Sequence, residues 1–212
     1  MKNKNERILE ILDLAPVVPV LAFDDTNSAI ETSRALVAGG LPVIEITLRT
    51  PAALECIAAV ASNVSGAVVG AGTVLNSAML QDCIDVGSQF AVSPGSTFEL
   101  IDGAKKTDIP LLPGVSTPSE AMGLLNEGIE VLKFFPAQQS GGAPFLKSIA
   151  PVLPQLTFCP TGGINLDNAG DYLSLPNVRC VGGSWVAPKK LISDGDYEGI
   201  RALAAEASNL PR

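Results

Sequence analysis

The sequence predicts a (β/α)8 barrel, the TIM-barrel fold, with an extra N-terminal helix and one domain over residues 1–212. Three observations carry this. Eight short runs rich in Val, Ile and Leu recur, Ala-rich amphipathic segments lie between them, and the runs come at intervals of about 20 to 26 residues. Each interval holds one strand and one helix. Strands that are apolar almost throughout belong in a parallel sheet covered by helices, and eight such units close into a barrel. An open doubly wound sheet would need a glycine-rich nucleotide turn after the first strand, where AFDDTNSA has no glycine.

The elements follow in order. A helix over about residues 4 to 14 precedes the first strand and covers the floor of the barrel. The first strand is VVPVLAF from Val17. The helix after it, TNSAIETSRALVAGG, places Ile30, Ala35, Leu36 and Ala38 toward the core and ends at Gly39. The next strands are VIEITLR from Val43, AVVGAGTV from Ala67, FAVSPG from Phe90 and PLLPGVS from Pro110. VLKFFPA from Val131, QLTFCPTGG from Gln155 and VRCVGGS from Val178 complete the set. Asn76, Thr97, Thr117 and Asp167 are expected N-caps, with Pro51 and Pro118 in first turns.

Composition removes several functions. The chain has 14 Lys and Arg against 22 Asp and Glu, a net charge of −8, and no basic run, so nucleic acid is not an expected partner. At 47% hydrophobic and 17% charged residues it lies far from disordered compositions. No apolar run reaches membrane length and no secretory leader pattern opens the chain, which points to a cytoplasmic protein without a membrane partner. There is no histidine, which removes the usual general base and the commonest metal ligand. Cys56, Cys83, Cys159 and Cys180 form no C-x-x-C pair and read as reduced core thiols.

Barrel chemistry sits at the C-terminal strand ends, so polar residues inside apolar strands are the candidates. In VIEITLR, alternation puts Glu45, Thr47 and Arg49 on the inner face, with Glu45 and Arg49 about 13 Å apart along a regular strand. In VLKFFPA, Lys133 shares a face with Val131 and Phe135. Burying an ammonium costs several kcal/mol unless it is paired or held as a neutral amine. An amine in apolar surroundings beside a carboxylate is the arrangement for carbinolamine and Schiff-base formation with a carbonyl substrate. A purely structural Lys133–Glu45 ion pair fits the spacing equally well.

A second constellation suits an anion. CPTGGIN and VGGSWV each carry a Gly-Gly pair after the last two strands, where barrels commonly bind phosphate, and Ser184 adds a hydroxyl. Ordinary tight turns are the alternative. Thr73 in GAGTV reads as a donor at the barrel mouth or as a cap on the next helix, and Phe135 and Trp185 as stacking or core residues.

As an ordered set, EITLRT, GAGTV, SPG, KFFPA, CPTGGI and GGSW resemble the family of 2-keto-3-deoxy-6-phosphogluconate (KDPG) aldolase and 4-hydroxy-2-oxoglutarate aldolase, over essentially the whole chain. The resemblance implies a class I lyase that needs no metal and no cofactor. It would cleave 2-dehydro-3-deoxy-6-phosphogluconate to pyruvate and glyceraldehyde 3-phosphate in the Entner-Doudoroff pathway, as a homotrimer. It implies Lys133 as the Schiff-base lysine and Glu45 as the proton-moving carboxylate. Arg49 and Thr73 would hold the pyruvate carboxylate, Thr161 would control stereochemistry, and Gly162, Gly163 and Ser184 would bind phosphate. The galactonate-derived epimer and 4-hydroxy-2-oxoglutarate are alternative substrates, and a non-covalent phosphosugar isomerase or epimerase is the rival chemistry. Gln138 stands where the family often carries an acidic residue.

Overall fold

A computed structural model describes residues 3–212. Its nine strands are β1 (Val17–Leu21), β2 (Val43–Thr47), β3 (Val68–Gly72), β4 (Ala91–Val92), β5 (Leu111–Leu112), β6 (Gly114–Val115), β7 (Val131–Phe134), β8 (Thr157–Pro160) and β9 (Val181–Gly183). Every pairing is parallel, and each predicted apolar run contains a strand. The ladders form a six-stranded sheet, β5-β4-β3-β2-β1-β9, and a three-stranded sheet, β6-β7-β8.

This differs from the uninterrupted eight-strand ladder expected of the sequence, and both interruptions have local causes. The fifth run is split at Pro113, which has no N–H to give: β5 pairs with β4, β6 pairs with β7, and Pro113 O accepts from Lys133 N at 2.9 Å. At the other seam only the single bridges Phe158↔Val178 and Thr161↔Gly182 join the segments of β8 and β9. The structure is a parallel α/β fold in two sheets.

Helix α1 (Lys4–Leu12) opens on a capping box between Asn3 and Glu6. Its buried Ile8 and Leu12 join Val18, Val43, Phe90 and Val131 in one cluster, so α1 packs on inward-facing residues at the base of the strands, as expected. A larger cluster lies between the strands' other faces and the helices. Helix α2 (Thr26–Ala38) buries Ala29, Thr32, Ser33, Ala35 and Leu36 and leaves Ala38 exposed, contrary to the sequence reading. Ala38 lies about 200° round the helix from Leu36, off the buried stripe. Gly39 is needed because a Cβ there would come within 2.5 Å of Ala204 on α10 (Tyr197–Ser208).

Asn76, Thr97 and Thr117 cap α4 (Ser77–Asp85), α5 (Phe98–Lys105) and α6 (Pro118–Asn126), with Pro118 in the first turn. Pro51 instead lies in the turn before α3 (Ala53–Asn63), whose N-cap is Ala52. Helix α8 (Leu166–Leu173) is capped by Asn165, not Asp167, because Asn165 and Asn168 complete a capping box two residues earlier. Helix α9 (Lys189–Asp194) begins well past the second Gly-Gly pair. Among the described residues no helix is long and apolar enough to cross a membrane.

Candidate active site

Lys133 sits on β7 and Glu45 on β2, 88 positions apart in sequence, and their side chains meet inside the fold: Nζ lies 3.3 Å from Oε1. Both are nearly sealed, at 6% and 4% exposure. The separation exceeds the roughly 2.7–2.9 Å of an optimised charge-assisted hydrogen bond, so the two groups are in direct contact as a slightly long ion pair. The Phe135 ring centroid is 5.2 Å from Nζ and adds a cation–π contact. Gly72 makes the space for the carboxylate, since a Cβ there would fall 2.2 Å from Glu45 Oε1. The second glycine in GAGTV is therefore a packing requirement of the Lys133–Glu45 pair.

Arg49 does not continue the inner face of its strand. β2 ends at Thr47, and Arg49 lies in the turn beyond, where its Nε donates to Thr47 Oγ1 at 2.8 Å. Thr47 Oγ1 in turn donates to Leu21 O at 2.8 Å, so a buried threonine fixes the guanidinium by one edge. Strand alternation does not reach Arg49, because the extended backbone stops two residues before it. No described carboxylate forms an ion pair with Arg49, which leaves its charge free for an anionic ligand.

Thr73 follows β3 with φ +60°, the only positive φ outside glycine among the described residues. A β-branched residue held there costs on the order of 1–3 kcal/mol, and such strain clusters at functional sites. It is not the helix cap, a role Asn76 fills. Val74 N, donating to Val92 O at 3.1 Å, helps to hold the strained turn.

The two Gly-Gly pairs have different causes. Gly162 and Gly163 have φ of +106° and +74°, conformations that favour glycine. Gly182 and Gly183 are present for clearance: a Cβ would meet Thr161 Oγ1 at 2.3 Å and the Trp185 ring at 1.9 Å respectively. Arg49, Phe135, Thr161, Gly162, Gly163 and Ser184 line one cavity of about 170 Å³. A neighbouring cleft of about 390 Å³ shares Arg49 and Ser184 with it and continues to Lys189. Lys133, Glu45 and Thr73 do not line that cavity; Phe135 touches both regions. Trp185 packs over Gly183.

Two further residues, Phe135 and Gln138, gain a definite place in the structure. Phe135 joins the amine to the cavity, and Gln138 accepts a 2.6 Å hydrogen bond from the Tyr172 hydroxyl beside the Gly163 loop. The four cysteines are buried free thiols. Burial pushes Cys56 up to about 11 and Cys83 up to about 12. Cys159 and Cys180 lie with sulfurs 3.4 Å apart, and that contact, with burial, raises Cys180 well above its ordinary value.

Comparison with known proteins agrees with this geometry. The family described as KDPG and KHG aldolase matches residues 8–203. The 2-dehydro-3-deoxy-phosphogluconate aldolase of Zymomonas mobilis is 50% identical over 202 residues, covering 95% of each chain. The KHG/KDPG aldolase of Escherichia coli (strain K12) is 47% identical over 207 residues, covering 98% of this chain and 97% of its own. Among solved structures, the KDPG aldolase from Legionella pneumophila, with pyruvate captured at low pH as a covalent carbinolamine intermediate, superposes with a TM-score of 0.93. It is 42% identical and covers 95% of this chain and 98% of its own.

Proposed function

The chain belongs to the KDPG and KHG aldolase family, and from that premise we propose a class I aldolase that cleaves 2-dehydro-3-deoxy-6-phosphogluconate to pyruvate and glyceraldehyde 3-phosphate, with 4-hydroxy-2-oxoglutarate as a second substrate. The observation that carries the mechanism is the sealed Lys133–Glu45 pair, with Nζ and Oε1 3.3 Å apart. An amine that must act as a nucleophile and a carboxylate that must relay protons have to be neighbours in a site with little water.

Lys133, as the free amine, adds to the C2 carbonyl. The carbinolamine takes up a proton at its hydroxyl and loses water, leaving an iminium. Glu45 then takes the C4 hydroxyl proton, directly or through one water, as the C3–C4 bond breaks. The bonding electrons move into the iminium, glyceraldehyde 3-phosphate departs, and the pyruvate half stays on Lys133 as an enamine. Protonation at C3 and hydrolysis release pyruvate and restore the amine. One carboxylate serves successive steps because it gives back each proton it takes.

The remaining residues hold the two anionic ends of the substrate. Arg49, anchored by Thr47, and Thr73 take the pyruvate carboxylate. The Gly162–Gly163 backbone and the Ser184 hydroxyl take the phosphate, and Thr161, wedged against Gly182, sets the face presented at C4. The proposed chemistry needs no cofactor or metal. We also read the two sheets as staves of one closed eight-stave barrel forming a single domain, a reading supported by the Pro113–Lys133 hydrogen bond at one seam and the Thr161↔Gly182 bridge at the other. A cytoplasmic homotrimer is the proposed assembly, and sedimentation velocity tests it.

Borohydride reduction in the presence of pyruvate tests the covalent step. A reduced adduct on Lys133 in peptide maps, absent from Lys133→Ala, is the expected result. A folded wild-type protein that gives no adduct would reject the imine and favour a non-covalent phosphosugar isomerase or epimerase.

A further inference from the structure

Tyr172 is a buried residue on the core face of α8, a position where an apolar side chain would pack as well. Its hydroxyl reaches out of the core and donates to Gln138 Oε1 at 2.6 Å. Gln138 itself is exposed, four residues beyond the end of β7, the strand that carries Lys133. Its Cβ lies 2.7 Å from where a Cβ on Gly163 would fall, so the glutamine is packed directly against that left-handed glycine.

The backbone makes the same connection. Ala137 N donates to Thr161 O at 2.8 Å, and Gln138 N donates to Gly162 O at 3.0 Å. The segment after β7 is thus joined to the glycine loop by two main-chain hydrogen bonds, and Asn168 Nδ2 holds Gly163 O at 3.0 Å from the helix side. Burial and the nearby Asp171 carboxylate raise the Tyr172 hydroxyl above its ordinary value, so it remains a donor across the neutral range.

We propose that Gln138 and Tyr172 are positioning residues, a brace that fixes the Gly162–Gly163 loop relative to Lys133 and thereby sets affinity for the phosphate end of the substrate. The inference rests on the aldolase reading for its substrate but not for its test. Tyr172→Phe keeps the packing and deletes the donor, and Gln138→Ala deletes the acceptor at an exposed position. Both are expected to weaken binding of inorganic phosphate about three- to tenfold, the loss of one hydrogen bond, as followed by Trp185 fluorescence or calorimetry. KM for the phosphorylated keto acid should rise by the same factor with kcat within about twofold, while KM for unphosphorylated 4-hydroxy-2-oxoglutarate and pyruvate trapping at Lys133 stay unchanged. The double variant should be no weaker than either single one, because both remove the same bond.

Unchanged phosphate affinity in both variants would overturn the brace, as would equal losses on phosphorylated and unphosphorylated substrates, which mark a general structural role. Should Tyr172→Phe fail to fold, Gln138→Ala decides alone. A wild-type protein that traps no pyruvate would defeat the aldolase reading instead, and the phosphate titrations would still judge the brace.

Discussion

Replacing Gly72 by alanine separates activity from stability. Gly72 has ordinary strand dihedrals, so alanine meets no backbone strain there, and the effect is steric. The added Cβ would fall 2.2 Å from Glu45 Oε1, 2.7 Å from its Cγ and 2.8 Å from its Cδ. Ordinary contact needs about 3.4 Å or more between such atoms, so the carboxyl group must retreat by roughly 1 Å. It is the flexible end of a side chain, and its movement relieves the clash at a cost of about 1–2 kcal/mol, the lower part of the overpacking range. The catalytic cost is larger. A displacement of about 1 Å in a reacting group can slow catalysis on the order of 100-fold, and this one acts directly on the 3.3 Å approach to Lys133 Nζ. Steady-state cleavage, with product pyruvate coupled to lactate dehydrogenase, reads the first effect, and thermal unfolding reads the second. Pyruvate should still be trapped on Lys133, but more slowly. A Gly72→Ala enzyme within threefold of wild type in kcat/KM would refute the claim that Glu45 must sit where Gly72 allows it.

Two further perturbations follow from the geometry. Thr73→Gly removes a left-handed β-branched residue, so thermal stability should stay within about 1 kcal/mol of wild type despite the entropic cost of glycine, while KM for the keto acid rises with the lost hydroxyl; unchanged KM would remove Thr73 from the carboxylate site. The second concerns pH. Cys83 is pushed up to about 12 from an ordinary value of 9.0, chiefly by burial, so above pH 9 the unfolded thiol loses its proton while the folded one keeps it. Its contribution is complete below pH 9 and is lost as pH rises from 9 toward 12, so Cys83→Ala should show a smaller fall in Tm over that range than wild type. Parallel Tm profiles would contradict the assignment.

The strands were legible because each is an apolar run bounded by turn residues, and that pattern survives in the fold without exception. What escaped the sequence is ladder continuity. PLLPGVS has the pattern of one strand, yet the missing N–H of Pro113 divides it between two sheets. The cap of α8 escaped for a related reason: Asn165 and Asp167 are both good capping types, and only the reciprocal bond with Asn168 chooses between them. Arg49 was misplaced because alternation is a property of extended backbone and says nothing about where extension stops.

At the site, Lys133 and Glu45 were legible because a charge inside an apolar run is costly unless something compensates, and each supplies the compensation for the other. The supporting residues carry no such signal. Gly72 resembles any strand glycine until Glu45 is placed beside it, and Tyr172 resembles any helical core aromatic until its hydroxyl is found on Gln138. Buried charged groups are visible one at a time, through their desolvation. The residues that aim them act through pairwise geometry between segments far apart in the chain, and only coordinates supply that. The same distinction explains why the Gly-Gly motifs looked alike in sequence: one pair is required by dihedral angle and the other by clearance from Thr161 and Trp185, so alanine at Gly182 should disturb Thr161 while alanine at Gly163 should disturb the loop backbone itself.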